Sequence, residues 1–366
     1  MRKSIILAAA CIAAVVSCTK TAETVSPQGL ISFMPANQIN TKVTGTVFPT
    51  TETFGTYAWT ANTAGEYFIE NKEVSFDGTK WTTSTPYYWP KNQSVDFFSY
   101  YPYNATGAIP VVTKTKITYN NVDFSATQLD IMYADKAVAF TDNANQVEDG
   151  QNAYEGVPTI FRHAGCKVKI NVILGENEKT EGDNTVTKWD VSLKSTTLSG
   201  LYVQGSCELN LADSPTTGLV PWVKPAGNVW AANTAITNSV DNSLYTDVVV
   251  HNLVKNEGVT VIPETYMLPQ TLAAGQQKIT LLFDVTTYRK APGAADFVLA
   301  LTQNDVAVSA DLIIDTTDLN AITAWEMNHN IVYNITIGPA GKQITFDPAI
   351  DNWVNKTVAT NIELQI

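Results

Sequence analysis

The chain has few groups suited to catalysis. Three histidines, His163, His251 and His329, stand far apart, with no second histidine near any of them and no full set of cysteines and histidines at zinc-site spacing. No Gly-x-Ser-x-Gly elbow, phosphate-binding loop, dinucleotide fingerprint or His-Glu-x-x-His motif occurs. Carboxylate pairs such as Asp347 with Asp351 are what any acidic chain offers, and a glycosidase would need the fold to bring two together. Cysteine is equally scarce, at 4 in 366 residues, which excludes a disulfide scaffold. Charged residues are 16% of the chain against 45% hydrophobic, so it is neither disordered nor a solvated helical protein. The 23 basic residues face 35 acidic ones, and a net charge of -12 repels phosphate backbones, so nucleic acid is a poor partner.

Helical periodicity is also missing. Short β-branched and aromatic runs recur instead, separated by Gly, Asn, Asp, Thr and Pro, as in Lys167-Val168-Lys169-Ile170-Asn171-Val172 and Ile331-Val332-Tyr333-Asn334-Ile335. An Asp77-Gly78 pair before Trp81 predicts a tight turn between two of them. The fold class is all-β, and the length suits two β-sandwich domains. The polar stretch from Gly175 to Asn184 places the boundary between 18–175 and 176–366; the segment 141–156 is the alternative, and either could be a long hairpin loop.

At the N-terminus, Arg2-Lys3 precedes a short apolar run and then Val15-Val16-Ser17-Cys18. This is a secretory signal over 1–17, too short for an ordinary membrane span. Its exit resembles a bacterial lipobox, in which Cys18 becomes the lipid-bearing first residue of the mature protein. Losing Arg2 and Lys3 leaves 23 - 2 = 21 basic residues, and 21 - 35 gives the exported chain -14. Only Cys166 and Cys207 then remain, as one disulfide or as two buried thiols.

Aromatics crowd the stretch from Tyr87 to Tyr103. Exposed on a sheet they would form a sugar-stacking platform, which makes a surface glycan-binding lipoprotein the alternative function. Alternation puts rings on both faces of the strand, however, with Phe98 and Tyr100 on one side and Phe97 and Tyr101 on the other. That pattern favours a strand covered on both faces.

The tail from Val354 to Ile366 alternates over 13 residues without Gly or Pro, presenting Val354, Val358, Ile362, Leu364 and Ile366 on one side. A strand of this kind either pairs with its own sheet or adds itself to the open edge of another molecule.

Several pieces in order carry a resemblance. They are the lipobox, Gly55-Thr56-Tyr57-Ala58, Tyr87-Tyr88-Trp89-Pro90, the run from Asp96 to Pro102, Phe161-Arg162-His163-Ala164, Met267-Leu268-Pro269-Gln270, Trp325 before the strand at Tyr333, and Ile350-Asp351-Asn352-Trp353. Together they resemble the fimbrillin family of Bacteroidetes surface lipoproteins, the pilin subunits of type V pili. The resemblance implies two tandem transthyretin-like β-sandwich domains and no enzymatic activity or cofactor. It also implies lipid-assisted export to the cell surface, and a maturation protease that removes an N-terminal strand. The C-terminal strand of another pilin subunit would fill the resulting groove by donor-strand exchange, giving a fimbria that supports adhesion. The removable strand corresponds to Leu30-Ile31-Ser32-Phe33-Met34. Family processing follows Arg or Lys, and Arg2, Arg162 and Arg289 all lie far from that strand, so Lys42 is the candidate cut, with Lys20 or no cut as alternatives. Tip subunits are expected to lack a free donor strand, so this tail points to a stalk or base-proximal position.

Overall fold

A computed structural model describes residues 29–37, 48–61, 65–125, 128–141, 156–210, 222–223, 236–237, 250–314, 321–338 and 354–356. All regular structure among them is β, with no helix.

The N-terminal sheet closes on itself. Phe54–Thr60 pairs with Ile69–Phe76, which pairs with Trp81–Thr83. The turn between the last two is the expected one: Gly78 has φ 102, and the Asp77 carboxylate accepts from the Thr79 and Lys80 amides, both at 2.9 Å. Trp81 pairs with Phe33 of the first strand, Phe33–Asn37. That strand runs parallel to Val157–His163, which continues through Met132–Ala134 to Val95–Tyr101 and so back to Phe54–Thr60. Seven strands thus form a barrel, with Ala137–Phe140 pairing outside the ring on Val95–Tyr101.

Closure explains why whole strands are apolar on both faces. Every residue of Phe54–Thr60 is buried. Phe54 and Ala58 point into the barrel with Ile31, Phe33, Phe97 and Phe161, whereas Tyr57 and Trp59 point outward with Phe98 and Tyr100. The outward rings are covered by a second sheet, built from Val111–Val112, Lys116–Asp123, Gln204–Asn210 and Trp222–Val223. Alternation announces a strand and its two faces but carries no information on curvature, which is why the sequence suggests a sandwich where the first sheet is a barrel.

The remaining strands enclose a third core. On one side lie Gly258–Met267, Cys166–Leu174, His329–Ile337 and Val354–Lys356, in that order; on the other lie Glu178–Thr180, Val186–Ser199, Lys278–Lys290 and Val298–Asp311. Strict alternation in Cys166–Leu174 turns Cys166, Val168, Ile170, Val172 and Leu174 inward. Both partners of this strand come from beyond residue 175. The polar stretch 175–184 is itself a hairpin, in which Glu178–Thr180 pairs with the start of Val186–Ser199.

Candidate functional site

The N-terminal strand is the element on which the barrel closes. Its approach is pinned by three backbone hydrogen bonds: the Ile31 amide to the Tyr87 carbonyl at 2.9 Å, the Trp89 amide to Gly29 at 3.2 Å, and the Val157 amide to Ser32 at 2.7 Å. Ile31 and Phe33 are 0% and 3% exposed, while Met34 between them and the outer face is 38% exposed. Phe33 meets the rings of Phe54 and Phe97 edge-on, at centroid distances of 5.8 and 5.7 Å. Burying these two side chains stabilises the strand by roughly 3 to 6 kcal/mol.

Backbone pairing is lopsided. Five parallel pairs join Phe33–Asn37 to Val157–Phe161, whereas two separated antiparallel pairs, Phe33 with Trp81 and Leu30 with Tyr88, hold the other side. The strand expected to be removable is therefore an integral stave of the barrel with one sparser seam. Without it, a cleft lined by Trp81, Phe54, Phe97 and Phe161 would face water, flanked by unpaired backbone of Trp81–Thr83 and Val157–His163.

At the other end of the chain, Val354–Lys356 pairs in parallel with His329, Asn330 and Ile331 at the end of its sheet. Val358, Ile362, Leu364 and Ile366 lie outside the described residues, as do Cys18, Lys42, Asp347 and Asp351. Only the start of the expected donor strand is therefore placed, on the edge of its own sheet.

The aromatic run is not a platform. Trp89, Phe97, Phe98 and Tyr100 are all at most 2% exposed, and Tyr88 alone of the run stands well out, at 52%. Burial pushes the Tyr100 and Tyr133 phenols up to about 12.

The histidines stay apart. His163 Nδ1 is 2.6 Å from Asp130 Oδ1, His329 Nδ1 is 3.3 Å from Glu326 Oε2, and His251 pairs with Leu193 in a short strand. No metal-binding group of side chains occurs among the described residues. Next to His163, Arg162 grips Asp135 through two hydrogen bonds, Nε to Oδ1 at 2.6 Å and Nη2 to Oδ2 at 2.9 Å. Sequence reading passed over this pair, because nothing in the spacing of the two residues signals that adjacent staves bring them together. Cys166 and Cys207 are two free thiols, buried in different cores, and desolvation raises both above the ordinary thiol range.

A fimbrillin-like family model matches residues 41–353, most of the chain. The chain belongs to the fimbrillin-like family. A fimbrial protein from Bacteroides vulgatus shares 15% identity with it over 89% of this chain and 99% of its own, with a TM-score of 0.57, which supports a common fold. The tip fimbrial protein Mfa3 from Porphyromonas gingivalis, 12% identical, covers 82% of this chain and 94% of its own with a TM-score of 0.37. No curated protein sequence matches the chain. Membership puts this chain in a family of fimbrial proteins, a structural rather than an enzymatic family.

Proposed function

We propose that the chain is a structural pilin subunit that polymerises by exchanging its first barrel stave for the C-terminal strand of another copy. The observation that carries this reading is the stave itself. Ile31 and Phe33 fill the barrel, only two separated antiparallel pairs, Phe33 with Trp81 and Leu30 with Tyr88, close one seam, and the following segment, 38–47, contains Lys42. A cut at Lys42 turns the stave from a tethered element into a peptide that can leave. The alternating segment 354–366 has the pattern needed to replace it. Lipid on Cys18 would hold the subunit at the outer membrane during export, and a protease acting after lysine would mature it.

In this reading the chain keeps two tandem units, the expected transthyretin-like pair. Cys166–Leu174 belongs to the third core, which supports a boundary near Ala164-Gly165, although Gln204–Asn210 returns across that point to pair with Lys116–Asp123.

Limited trypsin digestion, with the Lys42 cut verified by mass, followed by mixing with intact protein, should produce a ladder on an unboiled denaturing gel. Deleting 354–366 should abolish it. Confirmed cutting with no ladder would remove the support for polymerisation.

A further inference from the structure

Gly156 stands immediately before the strand Val157–His163, against the first stave. A Cβ built at this position would lie 2.7 Å from the Phe33 carbonyl carbon, 2.8 Å from the Phe33 nitrogen and 2.8 Å from the Ser32 oxygen. All three of its nearest atoms are backbone atoms of the stave, which cannot swing aside as a side-chain tip can. One residue on, the Val157 amide donates to that same Ser32 oxygen at 2.7 Å. Bare backbone at 156 and a donor at 157 together make a seat that holds one peptide unit of the stave and no side chain of its own.

We infer that Gly156 and the Val157 amide form the register-setting seat of the barrel's strand-acceptor groove. Any strand occupying the groove places one carbonyl on the Val157 amide and packs its next peptide unit against Gly156. The residue that follows the seated carbonyl then enters the pocket of Phe33, between the rings of Phe54 and Phe97. For the partner segment this selects a polar residue at the seat followed by apolar residues two apart. Glu363 in the place of Ser32 would put Ile362, Leu364 and Ile366 in the places of Ile31, Phe33 and Pro35. This assignment of the partner rests on the strand-exchange reading above; the role of Gly156 rests on the stave already present.

The test uses the full mature chain with a specific-protease site inserted in 38–47, cut and offered labelled peptides 29–37 and 354–366. Gly156→Ala should weaken binding of both by roughly 10- to 100-fold, the usual effect of overpacking. Met34→Ala, on the exposed face of the stave peptide, should leave binding unchanged. Equal binding of peptide 29–37 to Gly156→Ala and wild-type protein overturns the inference. Binding of 29–37 but not 354–366 to the wild type leaves the seat standing and removes the partner assignment together with the exchange reading. If the cut stave does not exchange at all, amide hydrogen exchange of the uncut Gly156→Ala chain decides: weaker protection in Val157–His163 with Lys278–Lys290 unchanged supports the seat, and wild-type protection in both overturns it.

Discussion

Truncating Phe33 to alanine tests whether the first stave holds the barrel closed. The ring is 3% exposed and sits edge-on to Phe54 and Phe97, in a core that also contains Phe48, Trp81 and Phe161. Removing a ring so enclosed costs about 3 to 5 kcal/mol, because lost transfer energy adds to the cavity left behind. That lowers barrel stability by about two to four orders of magnitude in the equilibrium constant. A single melting curve is the wrong assay for a chain with separate cores, since two-state analysis does not apply. Amide hydrogen exchange reads each region by itself. Protection should fall in Val95–Tyr101 and Val157–His163 and stay at wild-type level in Lys278–Lys290, whose inward side chains belong to the other core. Met34→Ala, half a turn of the pleat away and 38% exposed, should change neither. Full protection of the barrel strands in Phe33→Ala would refute the claim that the stave closes the ring. Equal loss in both cores would refute the claim that the cores are energetically distinct.

Arg162→Ala should destabilise the barrel by about 1 to 3 kcal/mol, read from amide hydrogen exchange of Val157–His163, since it leaves the Asp135 carboxylate partly buried without its two donors. Trp89→Ala should cost about 3 to 5 kcal/mol by the same assay, while Tyr88→Ala, at an exposed ring, should fall within about 0.5 kcal/mol of wild type. Tyr100 and Tyr133 bind their protons more tightly folded than unfolded, so their contribution is complete below about pH 10 and declines as pH rises toward 12; absorbance at 295 nm should show their ionisation delayed until the barrel opens. In a chain beginning after Cys18, Cys166 and Cys207 should resist a thiol reagent at pH 8 in the native state and both react in guanidinium, since burial keeps them protonated and covered.

What alternation can encode was legible. Cys166–Leu174 and His329–Ile337 read as half-buried strands and are so, and the double-faced aromatic pattern of 96–101 foretold a strand covered on both sides. The coverings themselves could not be read. That Phe97 turns into a barrel and Phe98 toward a separate sheet depends on curvature, and pleat periodicity is the same in a flat sheet and a curved one. The polar stretch 175–184 is ambiguous for a related reason. A linker and a hairpin tip share a composition, because both leave their backbone to water, and only pairing partners distinguish them. The parallel pairing of Phe33–Asn37 with Val157–Phe161 joins segments far apart in sequence, and no local signal records it. For the candidate site, the segment Leu30–Met34 overlaps the first stave, Phe33–Asn37, yet Gly156, the residue that lets the stave approach so closely, carries no mark beyond being a glycine.

The opened barrel would have no easy way to relax, and this gives strand exchange a driving force. A six-stranded ring has a smaller bore than a seven-stranded one, because barrel diameter grows with strand number. The interior is filled by Phe48, Phe54, Trp81, Phe97 and Phe161, sized for the larger ring. Shrinking around them would overpack a core already at crystal-like density. The gap left by the stave would therefore persist as an apolar cleft between two unpaired strand edges, and a strand of matching pattern relieves both defects at once. The sparser seam, with Phe33 paired to Trp81 and Leu30 to Tyr88, is where such a strand would find least backbone to displace on entering. In the proposed reading, a groove at one end of the chain and a strand at the other would make a head-to-tail contact, which propagates into a fibre when its rotation does not close a ring.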